Sequence, residues 1–300
     1  MQGRNHMATG STEARHPASE GLHKRPGGEV LSLLLEAQIA ALSTIRPALA
    51  ALEAVADAGA RALRGGGRLG YGGAGSSGLM ALADCLELAG TFGLPPDRTP
   101  MMFAGGAAAL LHMTGAVEDD PALALADLEV ARLGRGDALI VLSASGTTPY
   151  ALTLADAARA RGVTVAGFAN VAGSALLGMA DLPVLLETGA EVISGSTRMG
   201  AGTAQKVALN MVSVLIGLRL GHVHDGYMVN VAADNAKLID RAARIVCAVS
   251  RVTRAEAETA LSQTGGAVKP AILVARGYSP ESAHAALEWA DGHLGAILEK

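Results

Sequence analysis

Hydrophobic and polar positions follow two different patterns along this chain. Residues 28–64 are rich in alanine and leucine with spaced acidic residues, which predicts one or two helices with a break at Pro47. Beyond them, short apolar runs are separated by small-residue loops, and each run except the last precedes a helical pattern. Such runs predict the strands of a parallel sheet that is covered on both faces. The predicted strands are Arg68–Gly73, Met101–Ala104, Ala138–Ser143, Thr164–Ala169 and Leu182–Glu187.

The same patterns divide the chain into four segments. Residues 1–27 contain charges, glycine and proline without periodicity, and we expect an irregular N-terminal arm there. Residues 28–64 are the N-terminal helical segment, and residues 65–230 contain the five-stranded parallel sheet with its helices. Residues 231–300 are helical in pattern. The expected fold class is α/β, a three-layer arrangement of helices, sheet and helices with helical additions at both ends.

Composition excludes several classes of protein. The 300-residue chain is 50% hydrophobic and 17% charged, which is too apolar for a disordered protein. Aromatic residues make up 3% and the net charge is −4, so neither stacking platforms nor a basic field favour a nucleic-acid partner. The apolar run Val30–Leu42 is too short for a membrane span and contains Glu36 and Gln38. Cys85 and Cys247 form no CxxC pair and are predicted to be packed free thiols, which suits a reducing cytoplasm.

The candidate chemistry lies in the loops that follow the predicted strands. Gly73–Gly78 (GAGSSG) spells GxGxxG, but the second strand ends without the acidic residue that a dinucleotide site needs. The two adjacent serines of the Gly73–Gly78 loop are better suited to donating hydroxyl groups to a phosphate. Ser143–Thr148 and Glu191–Arg198 are also rich in hydroxyl groups. Any one of these loops alone is more often an ordinary helix cap. Together, at the carboxyl edge of one sheet, they predict a cradle for a phosphorylated small molecule.

These loops resemble those of the sugar isomerase (SIS) domain, and within that superfamily the chain resembles the N-acetylmuramic acid 6-phosphate etherases. Thr12–Arg15 is similar to the opening motif of that family, and the helical tail from about Ser250 resembles its small C-terminal helical domain. The strongest similarity is the string Gly195–Lys206 (GSTRMGAGTAQK), followed by Asn210. Further matching motifs are Gly73–Gly78, Asp84–Glu87, Thr91–Gly93, Gly115–Asp120, Ala144–Tyr150 and Gly265–Lys269.

The resemblance implies a reaction and its residues. The family removes the D-lactyl group from carbon 3 of the 6-phosphorylated amino sugar by elimination and hydration, with neither a metal ion nor a redox cofactor. By motif position, Glu87 corresponds to the proton donor and Glu118 to the second catalytic glutamate, the expected C2 base. Ser196 and Thr197 would lie beside the sugar. The other expected substrate- and phosphate-binding residues are Gly75, Ser76, Ser77, Ser143, Ser145, Thr147, Thr148 and Glu191.

Two other functions stay open at this point. A different phosphosugar isomerase or lyase would use the same C2 proton abstraction, and a non-catalytic sensor would bind phosphosugars in the same loops. The presence of both Glu87 and Glu118 argues against the sensor. The resemblance also implies a homodimer with shared active sites, and the free cysteines favour a cytoplasmic location. The mean hydropathy of +0.33 supports a buried interface between subunits.

Overall fold

The computed structural model describes residues 12–231, 233 and 235–299. The strands are β1 (Leu69–Gly73), β2 (Met101–Phe103), β3 (Ala138–Leu142), β4 (Thr164–Ala169), β5 (Leu182–Leu185), β6 (Val223–His224) and β7 (Tyr227–Met228). The α-helices are α1 (Gly27–Ser43), α2 (Leu49–Arg64), α3 (Gly75–Phe92), α4 (Gly106–Leu111), α5 (Pro121–Ala131), α6 (Pro149–Ala160), α7 (Ala175–Met179), α8 (Gly200–Arg219), α9 (Ala236–Ser250), α10 (Arg254–Gln263), α11 (Val268–Val274), α12 (Pro280–Trp289) and α13 (Gly295–Leu298). Short 3₁₀ turns lie at Pro17–Ser19, Leu22–Lys24, Arg46–Ala48, Pro96–Arg98 and Gly115–Asp119.

The N-terminal segment follows the sequence pattern. Pro47 lies in the 3₁₀ turn between α1 and α2, which confirms the predicted helix break. The part of the predicted arm that the structure describes contains two 3₁₀ turns before α1 begins at Gly27. The first eleven residues of the arm lie outside the described residues.

The first five strands form one parallel sheet in the order β2-β1-β3-β4-β5, which confirms the predicted fold class. The chain passes from β1 to β2 on one side and then returns to place β3 on the other side of β1. The order therefore reverses between β1 and β3. In open α/β sheets, ligands bind at the carboxyl ends of the strands beside such a reversal. The loops after β1 and β3 flank this position.

The glycine-rich sequence of β1 is explained by close packing. A Cβ atom at Gly72 would overlap the side chain of Leu154 in α6, and one at Gly70 would lie 2.7 Å from Leu133. All five residues of β1 and of β3 are buried. Neighbouring side chains therefore approach β1 at Gly70 and Gly72 more closely than a side chain at either position would allow. This packing fixes where the loops after β1 and β3 begin.

The chain forms two compact units. One contains the described residues up to Cys85 together with Arg98–Val212, and it includes the five-stranded sheet. The other contains Leu86–Asp97 and the chain from Ser213 onward. Its helices α9–α13 surround an aliphatic core, and the predicted helical character of this region is confirmed. Because the division runs through α3 and α8, the four-segment domain description above stays a prediction.

Candidate active site at the carboxyl edge of the sheet

Three loops begin side by side at the carboxyl edge of the sheet. Gly73, the last residue of β1, is in register with Phe103 of β2 and with Leu142 of β3. The residues that follow these three positions are therefore brought to one edge. Two of these loops, Gly73–Gly78 and Ser143–Thr148, are among the three predicted phosphate loops, and the third leads through α4 to the 3₁₀ turn that carries Glu118.

The loop after β1 turns directly into α3. Gly75 begins the helix with a φ of +53°, a conformation that favours glycine. A Cβ atom at Gly78 would lie 2.8 Å from the Gly73 carbonyl oxygen, so the first helical turn is held tightly against the end of β1. Ser77 is buried and Ser76 is half-buried. The N–H groups of a first helical turn have no partner within the helix and attract anions, which suits the predicted phosphate contact.

The loop after β3 contains a connected set of hydroxyl groups. Ser143 Oγ lies 2.8 Å from Thr148 Oγ1 and accepts the N–H of Gly146 at 3.0 Å. Ser145 Oγ accepts from both the N–H and the hydroxyl of Thr147, at 3.2 and 3.0 Å. The structure thus brings together the four hydroxyl residues predicted in this loop. Their mutual hydrogen bonds hold the loop in shape, and hydroxyl groups can rotate to donate to an anion.

Glu118 lies against the start of α3. A Cβ atom at Gly75 would be 2.5 Å from Glu118 Oε1, so the carboxylate occupies the space that a side chain at Gly75 would fill. It also lines a cavity of about 150 Å³ at the ends of β1 and β2. The residues around this cavity are Gly75, Phe103, Ala104, Ala109, Met113, Thr114, Gly115, Val117 and Glu118.

The surroundings of Glu118 favour its protonated form. Partial burial raises the pKa of the carboxyl group above its ordinary value, and the neighbouring charge of Asp119 raises it further. A carboxylate with a raised pKa is a stronger base once it is ionised. It can therefore accept a proton from a carbon acid better than an ordinary glutamate can.

Glu87 lies on α3 within the second unit, where its side chain is exposed. Neighbouring Leu86 is also exposed, at 67%, whereas Leu88 is buried at 1%. The helix therefore turns Leu88 into the protein and leaves Glu87 on the surface of this chain. Glu87 and Glu118 belong to different units, and the pairing of the two glutamates stays a prediction.

Glu191 has backbone partners that the sequence did not indicate. It is buried, and its two carboxylate oxygens accept the N–H groups of Gly200 and Ala201 at 2.9 and 2.8 Å. These are the first N–H groups of α8, where a carboxylate is favourable. Both oxygens are thus engaged in holding the helix start. Ser196 and Thr197 lie half-buried in the loop between Glu191 and α8.

A buried network around Asp84 was also missed from the sequence. The carboxylate of Asp84 accepts from the hydroxyl of Tyr71 at 3.0 Å and from the side-chain amide of Asn210 at 2.8 Å. These bonds tie α3 to β1 and to α8. The neighbouring thiol of Cys85 is free and buried, which confirms the predicted packed thiol, and burial raises its pKa to about 12.

Ser174 lies beside the loop after β3, although nothing in the sequence marks it as a site residue. It is 7% exposed, and a Cβ atom at Gly146 would overlap its side chain. Its hydroxyl oxygen has no hydrogen-bond partner among the described residues. A buried hydroxyl without a partner is costly. Its position next to the loop after β3 had no sequence signal, because a serine before a helix is ordinarily a cap.

The chain is similar to known proteins both in sequence and in fold. Residues 36–170 match the family model described as the SIS domain. The chain is 41% identical to the N-acetylmuramic acid 6-phosphate etherase of Deinococcus radiodurans, over 96% of this chain and 94% of that protein. It is 39% identical to the etherase of Serratia proteamaculans, over 96% of this chain and 98% of that protein. The fold is similar to that of a phosphoheptose isomerase from Francisella tularensis, with 19% identity, a TM-score of 0.50 and coverage of 65% of this chain and 100% of that one.

Proposed function

The chain belongs to the family of N-acetylmuramic acid 6-phosphate etherases, and we propose that it cleaves the D-lactyl ether of N-acetylmuramic acid 6-phosphate. The products are N-acetylglucosamine 6-phosphate and D-lactate. This reaction is a step in the recycling of amino sugars of the cell wall. The observation that carries the proposal is the position of Glu118, whose carboxylate lies against Gly75 at the carboxyl edge of the sheet.

The loops after β1 and β3 would bind the phosphate group. They flank the reversal in strand order, and one presents the first turn of α3 while the other presents linked hydroxyl groups. Neither loop contains a lysine or an arginine between Gly73 and Gly78 or between Ser143 and Thr148. Phosphate would therefore be held by N–H and O–H donors and by the partial positive charge of the helix terminus.

The reaction needs a base and an acid. In the open-chain sugar, the proton on C2 lies next to the C1 aldehyde, so a base can remove it as the enolate forms. The C3–O bond then breaks, its electron pair leaves with the lactyl oxygen, and an acid protonates that oxygen as lactate departs. Water next adds to C3 and a proton returns to C2, which gives the product. The sugar gains one water and loses one lactate in total.

Glu118 is proposed as the C2 base and Glu87 as the acid. Proton transfer by a positioned carboxyl group is worth about 10²–10⁴ in rate. The partly buried position of Glu118 and its raised pKa suit a base that must remove a proton from carbon. The assignment of Glu87 depends on the family motif Asp84–Glu87, whose first residue anchors α3 through Tyr71 and Asn210.

A second copy of the chain is proposed to cover the exposed apolar face of α1. Four aliphatic residues at helical spacing form a stripe on this face: Leu31 at 69%, Leu35 at 59%, Ile39 at 51% and Leu42 at 36% exposure. A stripe at this spacing suits packing against the same stripe of a symmetry-related helix. We therefore propose a homodimer, and the resemblance to the family favours active sites that are shared between its subunits.

Sedimentation measurements test the dimer. Leu35→Glu with Ile39→Glu would place charges on the stripe and dissociate the dimer to monomers with lower activity. The matched control is Ala40→Glu, which adds a charge to the opposite, exposed face of the same helix. Ala40→Glu should remain dimeric and active. A wild-type protein that sediments as a fully active monomer would contradict the proposal.

A cytoplasmic location is proposed for the enzyme. Gly27–Arg64 and Gly200–Arg219 are long and apolar enough to cross a membrane by composition. The first consists of two helices joined by the turn at Pro47, and 56% of the second's apolar window is buried within the structure. Their apolar character is explained by packing and by the proposed dimer. The free thiols Cys85 and Cys247 also suit a reducing compartment.

A lactate assay tests the function. The protein is incubated with N-acetylmuramic acid 6-phosphate in deuterated water, and lactate release and deuterium at C2 of the product are measured. The expected result is stoichiometric lactate with deuterium at C2. Binding of the sugar phosphate without lactate would identify a sensor, and C2 exchange without lactate would identify a different phosphosugar enzyme.

A further inference from the structure

The segment Thr12–Ser19 of the N-terminal arm lies along the loop Val192–Thr197. The N–H of Gly195 donates to the carbonyl of Thr12 at 3.1 Å, and Thr12 is buried at 2% exposure. At the other end of this segment, the hydroxyl of Ser19 donates to the carbonyl of Val192 at 2.6 Å. The segment is therefore attached to the loop at both ends, and this loop carries Ser196 and Thr197.

The attachment places one carboxylate over the loop. Ser194 Oγ donates to the backbone carbonyl of Glu13 at 2.7 Å, which leaves the side chain of Glu13 to project separately. A Cβ atom at Gly195 would lie 2.9 Å from Glu13 Oε2, and Gly195 has a φ of +73°. The loop thus has a glycine where any side chain would displace the carboxylate.

This carboxylate is exposed, and no cationic group of the described residues forms an ion pair with it. Its chemistry defines what it can bind. A carboxylate repels a phosphate group and the carboxylate of a lactyl group, and it accepts hydrogen bonds from neutral donors. The neutral donors of an amino sugar are its hydroxyl groups and its acetamido N–H.

We propose that Glu13 is a specificity-determining residue, whose carboxylate accepts a hydrogen bond from a hydroxyl or acetamido N–H of the amino sugar beside Ser196 and Thr197. The inference rests on the proposed function, because it assumes that this loop faces the sugar. It adds the N-terminal arm to the site. It also gives a role to the similarity between Thr12–Arg15 and the opening motif of the family.

Kinetics of three variants test the inference. Glu13→Ala should lower kcat/KM about 10- to 100-fold through a higher KM, because a hydrogen bond to a charged group is lost. Glu13→Gln should recover part of the loss, since its amide oxygen still accepts. Glu20→Ala removes an exposed carboxylate of the same arm, just beyond the segment Thr12–Ser19, and should match the wild type. The inhibition constant of inorganic phosphate and the Tm should be unchanged in all three.

Two results would overturn the inference. One is a Glu13→Ala protein whose kcat/KM equals that of the wild type. The other is a lower Tm and weaker phosphate inhibition in Glu13→Ala without recovery in Glu13→Gln, which would identify a merely structural contact. Failure of the proposed function is separate, because it appears as absent lactate release in the wild type. In that case calorimetry with N-acetylglucosamine 6-phosphate, which carries the same neutral donors, makes the same comparison.

Discussion

The regions around the two glutamates differ in what the single chain provides. Glu118 is half-buried, lines a cavity, contacts the helix start at Gly75 and has a raised pKa. Glu87 is exposed, and so is its neighbour Leu86. A carboxyl group that must remove a proton from carbon benefits from partial burial. The structure therefore gives the proposed base a partly buried environment within one unit, whereas it leaves the proposed acid exposed on the surface of this chain.

Because the two glutamates act on different bonds in the proposed reaction, their roles can be separated by experiment. Carbon-proton cleavage needs the base alone, whereas carbon-oxygen cleavage needs both groups. Deuterium exchange at C2 and release of lactate therefore report on the two regions independently. Variants that affect one measurement and not the other test the comparison directly.

The largest effect is expected at Glu118. Glu118→Gln keeps the shape of the side chain but cannot accept a proton, so C2 exchange and lactate release should both fall by about 10²–10⁴-fold. The measurement is deuterium incorporation by NMR alongside a lactate assay. Exchange at the wild-type rate would show that Glu118 is not the base.

Glu87→Gln should separate the two measurements. Lactate release should fall by about 10²–10⁴-fold, because the departing oxygen is no longer protonated. Exchange at C2 should persist, since the base is intact. If Glu87→Gln loses exchange while Glu118→Gln retains it, the two roles are reversed.

A smaller effect is expected in the loop after β3. Ser145→Ala with Thr148→Ala removes two hydroxyl groups, and the affinity for sugar 6-phosphates should fall about tenfold or more. Unphosphorylated sugars should bind poorly to the wild type and to the variant. Calorimetry measures both affinities. Equal binding of phosphorylated and free sugars would rule out the phosphate cradle.

A feature of the fold or of the candidate site can be predicted from the sequence when neighbouring residues in the chain determine it. The strands and the hydroxyl-rich loops that follow them are predictable, because buried strands are short apolar runs and helix starts contain small hydroxyl residues. The contact between Glu118 and Gly75 was not, because it joins two loops through the packing of the sheet. Glu118 was selected by resemblance alone. The engagement of Glu191 by the N–H groups of Gly200 and Ala201 likewise depends on tertiary structure.

The smallest expected effect is a shift of the pH profile on substitution of Asp119, whose charge contributes to the raised pKa of Glu118. Burial is the larger cause of the raised pKa of Glu118, and the charge of Asp119 is the smaller one. The base must be ionised, so kcat/KM should rise with pH as Glu118 loses its proton, at a pH above the ordinary range of a glutamate. Asp119→Asn removes the repelling charge and lowers the pKa of Glu118, so this acid limb should move to lower pH.

The shift of the acid limb in Asp119→Asn tests whether the limb reports the ionisation of Glu118 or of a different group. The limb is measured as kcat/KM against pH at constant ionic strength, because salt screens the interaction between exposed charges. Asp97→Asn is the matched control, since Asp97 lies in the other unit and is exposed. Asp97→Asn should leave the limb in place. If Asp119→Asn also leaves it in place while Glu118→Gln abolishes exchange, the acid limb reports a different group that must lose a proton.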